Sequence, residues 1–368
     1  MNHSGRRTRW FNRWSASVLV IIAALAVMWV ALTPTPYYAI RPGSAIELQP
    51  IVNVQGGTKK EKGTLMLTTV QMGPTNVLGY ILAKYDPYAD LMKADEIHSP
   101  SQSDAQYEKQ ELEVMRTSQQ KAEMVAFRKT GTPFTVKNEG AIVMDFVPGK
   151  PAEKYLQVGD TIVAVDGEKV TTGTDLLNVL KGRKVGEKIA IKLLRDGQPK
   201  QVSIALAQLQ TVKGQPARAG LGIFNPETKR QLMLSRNVTI ISDQIGGPSA
   251  GMMFTLEIIN QLSKQDLTKG YRIAGTGEIF EDGSVGRIGG IAHKVQASDK
   301  VKADIFFAPN DIVPAGVKSN YEEAKEAADK LHTKMKIVPV RTVDDALAYL
   351  RSLPPKKINA YNCTGACQ

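Results

Sequence analysis

The segment Asp243-Gln244-Ile245-Gly246-Gly247-Pro248-Ser249-Ala250-Gly251 constrains this chain more than any other. A strand is predicted before it over Asn237–Ser242, and an apolar helix after it to about Leu262. Ser249 then falls at or just before a helix N-terminus, where unpaired backbone N–H groups and the helix dipole gather. Glycines on both sides let the backbone and another molecule approach closely. A bare serine hydroxyl is a weak nucleophile, so any chemistry at Ser249 needs a base from elsewhere in the chain.

Two bases compete. Gly247-Pro248-Ser249-Ala250-Gly251 has the form G-x-S-x-G, which in a nucleophile elbow requires a downstream acid and histidine. His293 and His332 are the histidines that follow Ser249. No HGGG-like segment precedes the serine, however, and Gly246-Gly247-Pro248 fits poorly with an elbow entered straight from a strand. The other base is Lys294, 45 residues after Ser249 at the end of a glycine-rich stretch. That stretch runs Gly275-Thr276-Gly277-Glu278-Ile279, then Asp282-Gly283-Ser284-Val285-Gly286-Arg287-Ile288-Gly289-Gly290-Ile291-Ala292-His293-Lys294.

A chain of 368 residues exceeds one ordinary core and predicts two or three domains. The net charge is +11, but Arg6, Arg7, Arg9 and Arg13 stand in an acid-free start, leaving 43 basic against 36 acidic residues beyond. No nucleic-acid motif accompanies that modest excess, so nucleic acid is not expected as a partner. Ser15 to Leu32 form an uncharged, mostly apolar run between Arg13 and Pro34. It is read as a transmembrane anchor over 15–36 that contacts the lipid bilayer, with a basic cytoplasmic tail over 1–14. Everything after it would then be extracytoplasmic, on a single-pass protein of the cell membrane. A cleaved signal peptide has the same basic start and apolar middle. The small-x-small patch Ala24-Leu25-Ala26 lies inside the run, which favours an uncleaved anchor. Cys363 and Cys367 fall in a tail over 352–368, where a disulfide, a weak metal site and an untidy terminus are the alternatives.

Beyond the anchor, Ile46–Val54 and Gly63–Val70 are predicted strands, 86–105 a loop, and Gln106–Lys129 a supporting helix. Together 37–130 is expected to pack with the C-terminal domain. Residues 131–207 change to short strands and tight turns. Leu156-Gln-Val-Gly159-Asp160-Thr-Ile162-Val-Ala-Val165-Asp166-Gly167 turns into and out of a strand. A short helix over Thr174–Lys181 and strands over Ile189–Arg195 and Gln201–Leu206 follow, the strands joined at Asp196-Gly197. This pattern, with Pro151-Ala152 before it, resembles a bacterial PDZ domain. The resemblance implies peptide binding by strand addition between a strand and a helix. The groove strand is expected to begin near Thr132-Pro133-Phe134-Thr135, with Leu176, Leu177 and Leu180 on the helix side; a Gly-Leu-Gly-Phe type of carboxylate loop is taken to be absent.

The G-P-S-A-G around Ser249, the T-G-E-I, the G-x-V hairpin and the I-G-G-x-x-x-K ending on Lys294 resemble, in that order, the Lon protease domain over about 220–351. The resemblance implies a Ser249–Lys294 catalytic dyad, with Ser249 N–H as an oxyanion donor. Thr276 is a candidate supporting residue that would orient Lys294. Gly246 departs from the acid that the ATP-dependent family carries in D-G-P-S-A-G. The order anchor, PDZ, Lon-type domain resembles bacterial membrane-bound, ATP-independent Lon-like proteases, acting on protein or peptide substrates. No G-x-x-x-x-G-K-[ST] occurs in the chain, and neither cofactor nor metal is expected. Alternating strands and helices after Asp304 make the expected class α+β. A catalytically silent PDZ adaptor is the rival from another class, and association of several copies is left open.

Overall fold

The computed structural model describes residues 7–99, 102–209, 218–242 and 245–356, with side chains from residue 16 onward. The predicted Cys363–Cys367 tail lies outside the described residues. Two compact units emerge: 1–42 with 70–99, and 43–69 with 100–368.

The chain starts with α1 (Arg7–Leu32), β1 (Pro34–Glu47), β2 (Val52–Val54), β3 (Thr64–Asn76), α2 (Val77–Tyr85), β4 (Asp90–Lys93) and α3 (Ala94–Ile97). In the first unit β1 pairs antiparallel with β4, Tyr37 facing Lys93, and Asn76 caps α2 by accepting from Gly79 N–H. The membrane anchor is not borne out: among the described residues no helix is long and apolar enough to cross a membrane. The single-pass membrane placement, the lipid contact and the extracytoplasmic location, which rested on that span, are withdrawn with it.

The single strand predicted over Ile46–Val54 is two strands parted by a turn. The Leu48 carbonyl accepts from both Ile51 and Val52, around Pro50, which has no N–H to give a ladder. The loop predicted over 86–105 contains β4 and α3. Asp-Leu-Met-Lys carries no strand alternation of its own, and pairing with β1 makes it a strand.

In the second unit α4 (Asp104–Thr130) begins at a capping box, Ser103 with Gln106, and ends at Gly131 in the left-handed region. The β-rich part that follows holds β5 (Phe134–Ile142), β6 (Asp145–Phe146), α5 (Ala152–Tyr155), β7 (Thr161–Val165), β8 (Glu168–Lys169), α6 (Gly173–Leu180), β9 (Lys188–Arg195) and β10 (Gln198–Ala205). Its core gathers Leu156, Ile162, Val165, Leu176, Ile189 and Ile191. Asp160, almost wholly buried, is held by the Arg195 guanidinium at 2.7 and 2.8 Å.

The remaining elements are β11 (Ala207–Leu209), β12 (Arg218–Gly220), β13 (Ile223–Phe224), β14 (Glu227–Leu234), β15 (Val238–Ile240), α7 (Gly251–Leu262), β16 (Arg272–Gly275), β17 (Glu278–Ile279), β18 (Val285–Gly286), α8 (Ile291–Lys300), β19 (Ile305–Pro309), α9 (Asn320–Lys330), β20 (Lys336–Val340) and α10 (Val343–Ser352). Sheet order β20-β19-β16-β3 is parallel throughout this unit, whereas β10-β9-β7-β5-β14 is antiparallel. The parallel strands are buried on both faces, as helices on each side require. Leu65, Leu67, Ile273, Ile305 and Phe307 pack with α4, α7 and α10, and Met66, Ala274, Phe306 and Ala308 pack with α8 and α9. The class is α+β, as expected.

Candidate functional site

Ser249 stands in a turn closed by Gly251 N–H donating to the Pro248 carbonyl at 3.2 Å, immediately before α7. Gly247 adopts φ 82°, a conformation that favours glycine, and its N–H donates to the Glu111 carbonyl of α4 at 2.9 Å. The Ser249 carbonyl accepts from Gly277 N–H at 2.8 Å and from the Thr276 hydroxyl at 3.0 Å. Met252 N–H in turn donates to the Gly277 carbonyl at 3.0 Å, so the start of α7 is laced to the segment between β16 and β17.

Lys294 arrives from the opposite side of the sheet, one turn into α8. Its Nζ lies 2.8 Å from Ser249 Oγ and donates to the Thr68 carbonyl at 2.9 Å. The pairing of β3 with β16 ends at Leu67 opposite Gly275, so Thr68 and Thr276 both follow directly on the paired strands. The serine and the lysine therefore meet beyond the carboxyl ends of two parallel strands, each brought by a helix on a different face. Only 3% of Lys294 is exposed, and burial lowers its pKa to about 7. At neutral pH a large fraction of the amine is uncharged. Neutral Nζ has two N–H donors and one lone pair. One donor serves the Thr68 carbonyl, and the lone pair can accept the Ser249 hydroxyl proton.

The two residues separated by 45 positions are thus in hydrogen-bond contact. Thr276 is buried beside them, but its hydroxyl holds the Ser249 carbonyl rather than the lysine amine. The group that orients Lys294 is the Thr68 main-chain carbonyl. A main-chain acceptor leaves no residue signature, so nothing in the sequence points to Thr68. Of the two histidines, His293 is buried on α8 and His332 is exposed in the turn after α9; the side chain in contact with Ser249 Oγ is Lys294.

A second concave surface lies in the β-rich part. One edge of the predicted groove strand is already taken: β5 pairs with β14 from Phe134 to Ile142, and with β7 at Ala141 and Ile142. The groove, about 500 Å³, lies instead between α6 and 218–226. Leu176, Leu177 and Leu180 form its helix side, as expected, and Gly220-Leu221-Gly222-Ile223 its other side. That tetrapeptide is a Gly-Leu-Gly-Phe type of segment with Ile in the last place, on the C-terminal side of the domain rather than before its first strand. Gly222 has φ 88°, and a Cβ there would come 2.2 Å from the Cβ of Lys150.

Two segments of the chain match known protein families. A PDZ domain model matches residues 129–206, and the model of the Lon protease (S16) C-terminal proteolytic domain matches 243–352. A probable periplasmic serine endoprotease DegP-like protein of Chlamydia trachomatis is 30% identical over 119 residues, 30% of this chain and 24% of that one. The serine protease Do-like HtrA of Bacillus subtilis is 36% identical over 73 residues, covering 19% and 16%. The Lon protease of Metamycoplasma arthritidis is 34% identical over 107 residues, covering 29% and 12%. The chain thus spans a quarter or less of the length of each of these relatives. Carrying both a PDZ domain and a Lon-type proteolytic domain, the chain matches the PDZ plus Lon-type protease family.

Proposed function

We propose that this chain is a serine endopeptidase that hydrolyses proteins or flexible peptides without ATP, using Ser249 as nucleophile and Lys294 as general base. The observation that carries the reading is the contact of a buried, pKa-lowered Lys294 amine with Ser249 Oγ at 2.8 Å. Ser249 Oγ attacks the scissile carbonyl carbon while its proton passes to the Lys294 lone pair. The resulting ammonium keeps its bond to the Thr68 carbonyl and returns the proton to the leaving amine as the C–N bond breaks. Water, deprotonated by the same amine, then attacks the acyl-enzyme and releases Ser249. The Ser249 N–H, ahead of α7, is the oxyanion donor in this scheme. The groove beside α6 supplies substrate to the dyad, and the working division into a PDZ domain over 131–207 and a proteolytic domain over 220–351 belongs to the same proposal.

ATP independence is supported by the lack of a phosphate-binding G-x-x-x-x-G-K-[ST] segment in the chain. The test is proteolysis of fluorescently labelled casein by the purified chain, with and without ATP, beside Ser249→Ala. Turnover without ATP that Ser249→Ala abolishes is expected. A strict need for ATP, or turnover surviving in Ser249→Ala, overturns the reading.

A further inference from the structure

Helix α4, all but its last two residues outside the matched segments, reaches the nucleophile turn twice. The Glu111 carbonyl takes Gly247 N–H, and one helical face further on, the Ser118 hydroxyl donates to the Pro248 carbonyl at 3.0 Å. Ser118 is 2% exposed. The same carbonyl closes the turn by accepting Gly251 N–H, and Ser249 is one of the two residues inside that turn. Contact on this side is close. A Cβ on Gly251 would come within 2.5 Å of Ser118 Oγ and of Ile279 Cγ2, so the turn sits against α4 with no spare space.

The turn is held by four hydrogen bonds on two carbonyls. Its own N–H and Ser118 fix the Pro248 carbonyl, and Gly277 with Thr276 fixes the Ser249 carbonyl from the far side. With one carbonyl anchored on each side, the turn cannot rock about its long axis. Rocking would swing Ser249 Oγ away from Lys294 Nζ. We propose that Ser118 is a positioning residue for the nucleophile, its hydroxyl holding the Pro248 carbonyl and so aiming Ser249 at Lys294. This rests on the proposed proteolytic function and assigns part of the catalytic apparatus to a helix outside the proteolytic domain match. Ser118 touches no reacting atom. It acts through geometry, to which such attack is sensitive: displacements near 1 Å cost rates of about a hundredfold.

The experiment uses the full chain, labelled casein for turnover and a fluorophosphonate for acylation of Ser249. Ser118→Ala is expected to lower kcat and the labelling rate about ten- to a hundredfold, with KM within about twofold and the pH midpoint unmoved, since Lys294 burial sets it. Ser118→Cys, which replaces the hydroxyl with a somewhat larger and weaker donor, should fall in between and covers the case in which the alanine variant folds poorly. The control is Gln120→Ala on the same helix, whose side chain bonds the Arg230 carbonyl instead; it should leave kcat unchanged. Wild-type rates in both Ser118 variants overturn the inference. So does a loss that Gln120→Ala shares and that follows the melting temperature, which is the signature of a merely structural role. A wild-type protein that neither cleaves casein nor labels at Ser249 overturns the proteolytic reading itself, and this inference with it.

Discussion

Lys294 Nζ donates to the Thr68 carbonyl at 2.9 Å across 226 residues of sequence. This bond joins the proteolytic segment to a strand that precedes the PDZ domain. It gives the amine a fixed direction, because a lysine on a four-carbon stem otherwise samples many rotamers. It also leaves the opposite side of the nitrogen for Ser249. The Thr68 hydroxyl donates to the Gly275 carbonyl at 3.1 Å, tying the same residue to β16 just ahead of Thr276. Strand β3 is therefore a structural part of the dyad.

Activity should rise with pH through about 7. Burial lowers the Lys294 pKa to that value, and only the neutral amine can take the Ser249 proton. The rate kcat/KM, measured from pH 5 to 9, should climb about tenfold per unit below the midpoint and level off above pH 8. A profile that falls over this range, or an inflection near the ordinary lysine value of about 10.4, contradicts it.

Removing the lysine should cost activity without costing the fold. In the unfolded chain Lys294 titrates near 10.4, but in the folded protein near 7. Folding is therefore penalised as pH falls below about 10, and the penalty is complete below 7, where it reaches roughly 5 kcal/mol. Lys294→Met escapes that penalty but leaves the Thr68 carbonyl without its donor, at about 1–3 kcal/mol. The variant should be inactive, and its melting temperature should gain on wild type as pH is lowered from 10 to 7. A gap that widens towards high pH would reverse the sign and refute the argument. Lys294→Arg should also be inactive, because guanidinium keeps its proton.

Thr276→Val keeps the volume and deletes the hydroxyl that holds the Ser249 carbonyl. Gly277 N–H still serves that carbonyl, so the stability loss should be only about 1 kcal/mol. The turnover number should fall about fivefold to tenfold with KM little changed, the pattern of an interaction that positions the reacting group. An unchanged kcat would reduce Thr276 to a strand-end threonine.

The contact of Ser249 with Lys294 was legible because both side chains are set in distinctive glycine-rich surroundings, Gly246 to Gly251 and Gly275 to Lys294. What escaped the sequence is carried by main-chain atoms or by long-range pairing. Thr68 contributes a carbonyl that any residue could present, and Ser118 is one serine in a polar helix. β4 exists because β1 pairs with it, not because Asp90–Lys93 favours a strand. The groove was misplaced for a related reason. Phe134–Ile142 has the sequence of a strand that could accept a partner, but β14, nearly a hundred residues later, already occupies its edge. The apolar run of α1 was over-read from composition, since among the described residues no helix is both long and apolar enough to cross a membrane.

The groove beside α6 should bind the free C-termini of apolar-ended peptides. Its walls are leucine side chains and the backbone of Gly220–Ile223, and Lys181 and Arg218 stand among its lining residues, suited to a terminal carboxylate. Leu177 lines it while 46% exposed, so changing it should touch binding more than folding. Leu177→Glu places a negative charge where the peptide's apolar end and carboxylate must lie, which should weaken binding about tenfold or more. Thr135→Lys, on the β5 edge that β14 already covers, should leave binding unchanged. Titrating fluorescent peptides with free and amidated C-termini separates the alternatives. Tighter binding of the free acid, lost in Leu177→Glu and kept in Thr135→Lys, is the expected result. The same Leu177→Glu protein should label at Ser249 with fluorophosphonate as fast as wild type, since the dyad's own contacts are untouched, while cleaving casein more slowly. Loss of binding in Thr135→Lys instead would return the groove to β5, and equal affinity for the amidated peptide would remove the carboxylate from recognition.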